Sequence, residues 1–270
     1  MTTIHQSKLN QVVAYMKSHW PSDVREEWQV PLEDYPTILA RVVADFTAGA
    51  TTSHQLIRIA GLSGSGKTTQ ILPAVEAYAA KHDLSPILVA ARRFVEYHPH
   101  YQEILQEYGK ANLRKKTDEF STIMMFLTLD YLTKYEFDVI LDVTLLDPAI
   151  EQILMEMLKA NHYKFALLMI AASPTVTAHF LGGRSWRHTP ETEAEFVRAT
   201  TEALEYYANH HPTLRVILWS VYDLDPIYDG KISDALSVFQ DYSTRTTLPA
   251  SDDAARAAAK IKYLSTVDLG

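Results

Sequence analysis

The chain has 270 residues, 47% of them hydrophobic, a formal net charge of −8 and no cysteine. That length is enough for one large domain or for a domain with helical additions, and the acidic balance argues against a nucleic-acid binder that works by neutralising phosphates. The absence of thiols excludes disulfides, thiolate nucleophiles and cysteine zinc sites, and a reducing compartment fits.

Along the chain, the start "MTTIHQSKLNQVVAYM" lacks the basic cluster and apolar core of a secretory signal. Residues 7–20 and 32–46 carry apolar side chains at helical spacing. From Leu56 the pattern changes to short apolar strands, at 56–60, 86–90, 137–142, 164–171 and 214–219. Amphipathic helices alternate with them at 67–82, 100–108, 117–134, 148–161 and 190–209. This alternation indicates an α/β fold, a P-loop NTPase/kinase-type parallel sheet flanked by helices on both faces. The longest apolar run, "FALLMIAA" from Phe165, is far below the roughly 20 residues of a membrane helix. After Gly230 the pattern returns to helix, most clearly in "SDDAARAAAKIKYL", with Ser251 as N-cap and acids in the first turn. Three regions are expected: an N-terminal helical extension (1–50), a core (51–230) and a C-terminal helical tail packed on it (231–270). The expected location is cytoplasmic, with neither a membrane nor a nucleic acid as partner.

The segment "GLSGSGKTT" follows the first strand and opens a helix. Gly61, Gly66, Lys67 and Thr68 fit the phosphate-loop pattern G-x-x-x-x-G-K-[ST]. Its glycines let successive amides face an anion, with Ser63, Gly64, Ser65 and Thr69 completing the cradle. Lys67 is placed to bridge the β- and γ-phosphates of ATP, and Thr68 to give a hydroxyl to Mg²⁺. Asp142 ends an apolar strand, where open α/β sheets bind ligands. It would order Mg²⁺ or act as base, or else cap the following turn. Asp138, near the other end of that strand, reads as a solvated flank, and His98 as structural or solvated.

No N-K-x-D reads guanine here, and Asp142 is followed by Val143 and Thr144 rather than by the second acid of motor-type ATPases. A small-molecule kinase needs a phosphate loop, a carboxylate near the acceptor and a lid that brings arginines to the transferring phosphate. The segment "FLGGRSWRHTPE" supplies a candidate lid, with Gly182 and Gly183 as hinge and Arg184 and Arg187 as catalytic charges. The alternative is that both arginines are solvated surface charges.

Over about 56–222 the chain resembles the zeta toxin family of bacterial P-loop kinases. The phosphate loop, "FVEYHPHYQEI", "FDVILDVT" and "RHTPE" carry the resemblance by their order and spacing. It implies phosphorylation of the 3′-hydroxyl of UDP-N-acetylglucosamine and related nucleotide sugars, with an NAD kinase effector among the relatives. It also implies a helical antitoxin, for which segment 1–50 is too short. Three positions depart from the family. Arg92, in "AARRF", stands where the family has its catalytic base, and an arginine does not accept a proton. Phe126 replaces a second acid, and Leu146 replaces an arginine, while Asp142 and Thr144 remain. The nucleotide-sugar acceptor is therefore not carried over. The expected activity is ATP- and Mg²⁺-dependent phosphoryl transfer to a small anionic acceptor held by Arg92, Arg93 and Thr144. Two alternatives remain open: a nucleotide-binding module with lost catalysis, and a regulatory ATPase with a protein partner.

Overall fold

The computed structural model describes residues 6–19, 23–145, 148–181, 190–248 and 252–269. In chain order come α1 (Gln6–His19), α2 (Tyr35–Phe46), β1 (Gln55–Gly61), α3 (Leu72–Lys81), β2 (Ile87–Val89), α4 (Tyr101–Lys116), α5 (Asp118–Lys134) and β3 (Val139–Asp142). Then follow α6 (Pro148–Ala160), β4 (Lys164–Ala171), α7 (Pro174–Leu181), α8 (Pro190–His210), β5 (Arg215–Ser220), β6 (Tyr228–Lys231), α9 (Ile232–Ser243) and α10 (Asp253–Leu264).

The strands are ordered β2-β3-β1-β4-β5-β6. β4 runs parallel to both β1 and β5, with Gln55 opposite Lys164 and Gly61 opposite Ile170. All seven residues of β1 are buried, as expected of an inner parallel strand covered on both faces. The expected α/β class and its five parallel-type strands are present. β6 is an addition: it pairs antiparallel with β5, and its four residues alternate between partial burial and exposure. Such a short edge segment leaves no apolar run to read in the sequence.

By contacts the chain divides into two compact units. One comprises Met1–His54 and Ile87–Val139, the other Gln55–Pro86 and Ile140–Gly270. In the first, α5 is buried along most of its length, from Asp118 to Thr133. Val24, Val95, Ile104 and Leu113 pack with Trp28 and Tyr108, whose rings meet edge to face at 6.0 Å. Asp138 is 1% exposed and accepts hydrogen bonds from the Ser53 amide (3.0 Å) and hydroxyl (2.7 Å). It is thus a buried anchor for the entry to β1 and not the solvated flank its position suggests.

In the second unit, Ala60, Leu167, Met169, Val216 and Leu218 of the sheet meet Ala203 and Leu204 of α8 and Ile232 and Phe239 of α9. The observed cap of α10 is Asp252, whose side chain accepts from the Ala255 amide at 2.9 Å. Ser251 lies outside the described residues. Among the described residues no helix is long and apolar enough to cross a membrane.

Candidate functional site

β1 delivers the chain into the phosphate loop, where Gly61 is required by contact and conformation and Gly66 by conformation. At Gly61 φ is +139°, and a Cβ would lie 2.7 Å from the Ile170 carbonyl oxygen of the neighbouring strand. At Gly66 φ is +94°, and a Cβ would lie 2.6 Å from the side-chain nitrogen of Gln70. The Ser65 amide closes the intervening turn on the Leu62 carbonyl at 3.2 Å. The buried Ser65 hydroxyl has no hydrogen-bond partner among the described residues. Ser63, Thr68 and Thr69 are exposed around this turn, and Gly64 is half-buried.

The Lys67 ammonium donates to the carbonyls of Gly61 (2.6 Å) and Leu62 (2.9 Å). Residues Lys67–Ile71 wind as a wide π-type turn before α3 begins. Glycines in the left-handed region, a buried orphan hydroxyl and the Lys67 ammonium make a donor-rich turn that fits the phosphates of a nucleotide.

The end of β3 lies beside this loop in the same unit. Asp142 is 6% exposed. Two residues on, the Thr144 hydroxyl donates to the Gly61 carbonyl at 3.1 Å, so strand end and phosphate loop share one acceptor. Magnesium keeps several waters and takes only one or two protein carboxylates. The Thr68 hydroxyl with the Asp142 carboxylate suits that donor set. Among the described residues no cluster of three histidines or carboxylates could hold a metal in an all-protein cage.

Arg92 and Arg93 lie in the first unit, in the 3₁₀ turn Ala91–Tyr97. Arg93 donates to the Leu88 carbonyl at 2.6 Å, and its guanidinium sits 4.2 Å from the Phe46 ring centroid. Burial, partly countered by Tyr97, lowers its pKa, with Arg92 adding to the fall. Arg92 is exposed, and its charge also reaches Arg114 of α4, which pairs with Asp118 at 3.0 Å. Burial first, then Arg92, brings the Arg114 pKa down to about 10.

Nothing in the sequence singles out Arg114, since it sits in the basic run "RKK" that reads as the C-terminal end of a helix. His98 is 4% exposed, packs against the Phe120 ring at 4.7 Å and accepts from the His100 amide at 3.1 Å. Phe126 is buried in α5. Gly182, Gly183, Arg184 and Arg187 lie outside the described residues, as does Leu146.

A family model described as Zeta toxin matches residues 45–223. Toxin PezT of Streptococcus pneumoniae serotype 4 (strain ATCC BAA-334 / TIGR4) is 25% identical over 176 residues, 61% of this chain and 68% of that protein. A solved structure from the PezAT chromosomal toxin-antitoxin system of Streptococcus pneumoniae superposes with a TM-score of 0.66 at 20% identity. That match covers 89% of this chain and all of the other. The AvrRxo1-ORF1:AvrRxo1-ORF2 complex with sulphate ions gives a TM-score of 0.50 at 12% identity, over 97% of this chain and 84% of that one. At these identities the two structures speak for the fold alone.

Proposed function

Because the chain belongs to the zeta toxin family, matching its model over residues 45–223, we propose that it transfers the γ-phosphate of MgATP to a hydroxyl of a small anionic acceptor. The observation that carries this reading is the glycine-locked loop, with Lys67 resting on two loop carbonyls within reach of an incoming phosphate. The nucleotide would supply the phosphoryl group and the metal the charge neutralisation between its phosphates.

In this reading the amides of 61–69 would cradle the phosphates, Lys67 would leave its carbonyls for them, and Thr68 and Asp142 would hold the Mg²⁺ shell. A loose transition state asks little of a base, so Asp142 would suffice by orienting the acceptor hydroxyl or the Mg²⁺ shell. Arg184 and Arg187 would neutralise charge on the transferring group. Arg92 would receive an anionic group of the acceptor with Arg114 beside it, while Arg93 braces the turn that carries them. Two neighbouring guanidiniums repel each other, and a carboxylate or phosphate between them relieves that through bidentate contacts. The similarity to a toxin of a toxin-antitoxin system supports a protein partner of the antitoxin kind, the acidic charge supports a protein without a nucleic-acid ligand, and a cysteine-free chain fits the reducing cytoplasm.

One observation favours a second reading. By the resemblance to the family Arg92 would take the place of its base, and the chain would then bind nucleotide without transferring phosphate. Depletion of ATP across a metabolite panel separates the two. Binding itself is tested with Lys67→Ala: calorimetry should show MgATP affinity lost, and native affinity in this variant would remove the basis of both readings.

A further inference from the structure

A buried polar chain leads from the phosphate loop to α8, entirely within the second unit. Arg58 is the one charged residue of β1 and is 1% exposed. Its Nη1 pairs with Glu151 of α6, and its Nη2 donates to the other Glu151 oxygen at 2.9 Å. Nη2 also donates to the Thr144 carbonyl at 3.0 Å. The Thr144 hydroxyl in turn donates to the Gly61 carbonyl. From the far side, the Tyr207 hydroxyl of α8 donates to Glu151 at 2.5 Å. Glu151 and Tyr207 are both fully buried.

Stability alone does not account for such an arrangement. Taking two charges out of water costs several kcal/mol each, and apolar side chains of similar volume often serve a core as well or better. What a forked guanidinium provides is direction. One edge of Arg58 is fixed on α6 and α8, and the other aims at the loop that follows β3. Although burial pulls the Arg58 pKa down, Glu151 and Tyr207 outweigh it and keep the guanidinium charged. Burial and Glu151 raise the Tyr207 pKa well above its ordinary value, so its hydroxyl remains a donor.

The Gly61 carbonyl is the meeting point. It accepts from Lys67 at 2.6 Å and from Thr144 at 3.1 Å. A lysine that turns to a phosphate gives up its bond to Gly61, and the Thr144 hydroxyl then remains on that carbonyl from outside the loop. We propose that Arg58, Glu151 and Tyr207 are positioning residues of the nucleotide site, holding the Gly61 carbonyl through Thr144 while Lys67 moves to the phosphates. The same residues tie that carbonyl to α8, the helix that begins directly after residues 182–189. The inference rests on reading the loop as a nucleotide site.

The test compares Thr144→Val, Thr144→Ser and Tyr207→Phe in the full chain. It uses amide hydrogen exchange over residues 62–66 without nucleotide, and MgATP calorimetry. Loss of one buried hydrogen bond should weaken MgATP binding about fivefold in Thr144→Val and accelerate loop exchange to a similar degree. Thr144→Ser should restore both. Tyr207→Phe, which cannot touch nucleotide directly, should move both in the same direction by at least about twofold. A core variant outside the chain of bonds, Ala235→Gly on α9, should lower the melting temperature and leave loop exchange and affinity as they were. Native exchange and affinity in both Thr144→Val and Tyr207→Phe would overturn the proposal, as would an equal effect from Ala235→Gly. If the native chain binds no MgATP, the nucleotide reading fails, while loop exchange still decides whether these residues position the loop.

Discussion

Lys260 shows what one misplaced charge does to the molecule. It is fully buried on α10, its ammonium has no hydrogen-bond partner among the described residues, and it lies 5.8 Å from the Trp219 ring centroid. Burial, with Arg256 adding to it, lowers its pKa to about 8 against the pull of Asp223 and Asp253. The unfolded chain therefore holds this proton more tightly than the fold does. The penalty is complete below pH 8 and fades as pH rises towards the unfolded value near 10.5. Lys260→Met should stabilise the protein by about 2 kcal/mol at pH 7, seen as a higher melting temperature, with the gain shrinking above pH 9. An unchanged or lower melting temperature at pH 7 would contradict that placement.

Residues of this kind explain what the sequence conceals. Lys67, Gly61 and Gly66 were legible because the chemistry of a phosphate loop dictates residue type at fixed spacing. Arg58 stood in plain view inside an apolar strand, yet its partner Glu151 is 93 positions away. Nothing local to either residue announces the pair.

At the scale of elements, the phosphate-loop helix differs most from its pattern. A single helix from Lys67 is the natural reading, but regular winding starts only at Leu72. Pro73 has no N–H to give to the carbonyl of Thr69, so the first turn winds wide and α3 restarts beyond it. That turn is braced by α10. The Gln70 side chain donates to Asp253 at 2.9 Å, and Arg256 donates to the same oxygen at 2.9 Å. Asp253→Ala would leave the Gln70 amide without this acceptor and should cost about 1 kcal/mol, measured by thermal or denaturant melting. A variant as stable as the native chain would mean that α10 does not brace the turn. The parallel strands were readable because burial on both faces writes continuous apolar runs, whereas β6, half-exposed and four residues long, leaves no such trace.

At the scale of the whole molecule, acid sensitivity and phosphoryl transfer are the properties to measure. His98 is held neutral: burial foremost, then His100, lowers its pKa to about 4, with Glu103 opposing. Between that value and the unfolded value of 6.5 the unfolded chain binds the proton more readily. The stability carried by neutral His98 is thus complete above pH 6.5 and is lost as pH falls towards 4, by up to about 3 kcal/mol. Denaturant unfolding at pH 7 and pH 4.5 should show this loss, and His98→Asn should flatten it; an equal loss in the variant would assign it to other groups.

The proposed function joins a family nucleotide site to a changed acceptor held by Arg92. It is tested most directly by incubating the full chain with Mg²⁺, ATP labelled in its γ-phosphate and a bacterial metabolite extract, then resolving labelled products. The expected result is a labelled anionic small molecule other than free phosphate, absent with Lys67→Ala, and no label on added UDP-N-acetylglucosamine. Binding of MgATP with no labelled small molecule at all, or efficient labelling of UDP-N-acetylglucosamine, would contradict it.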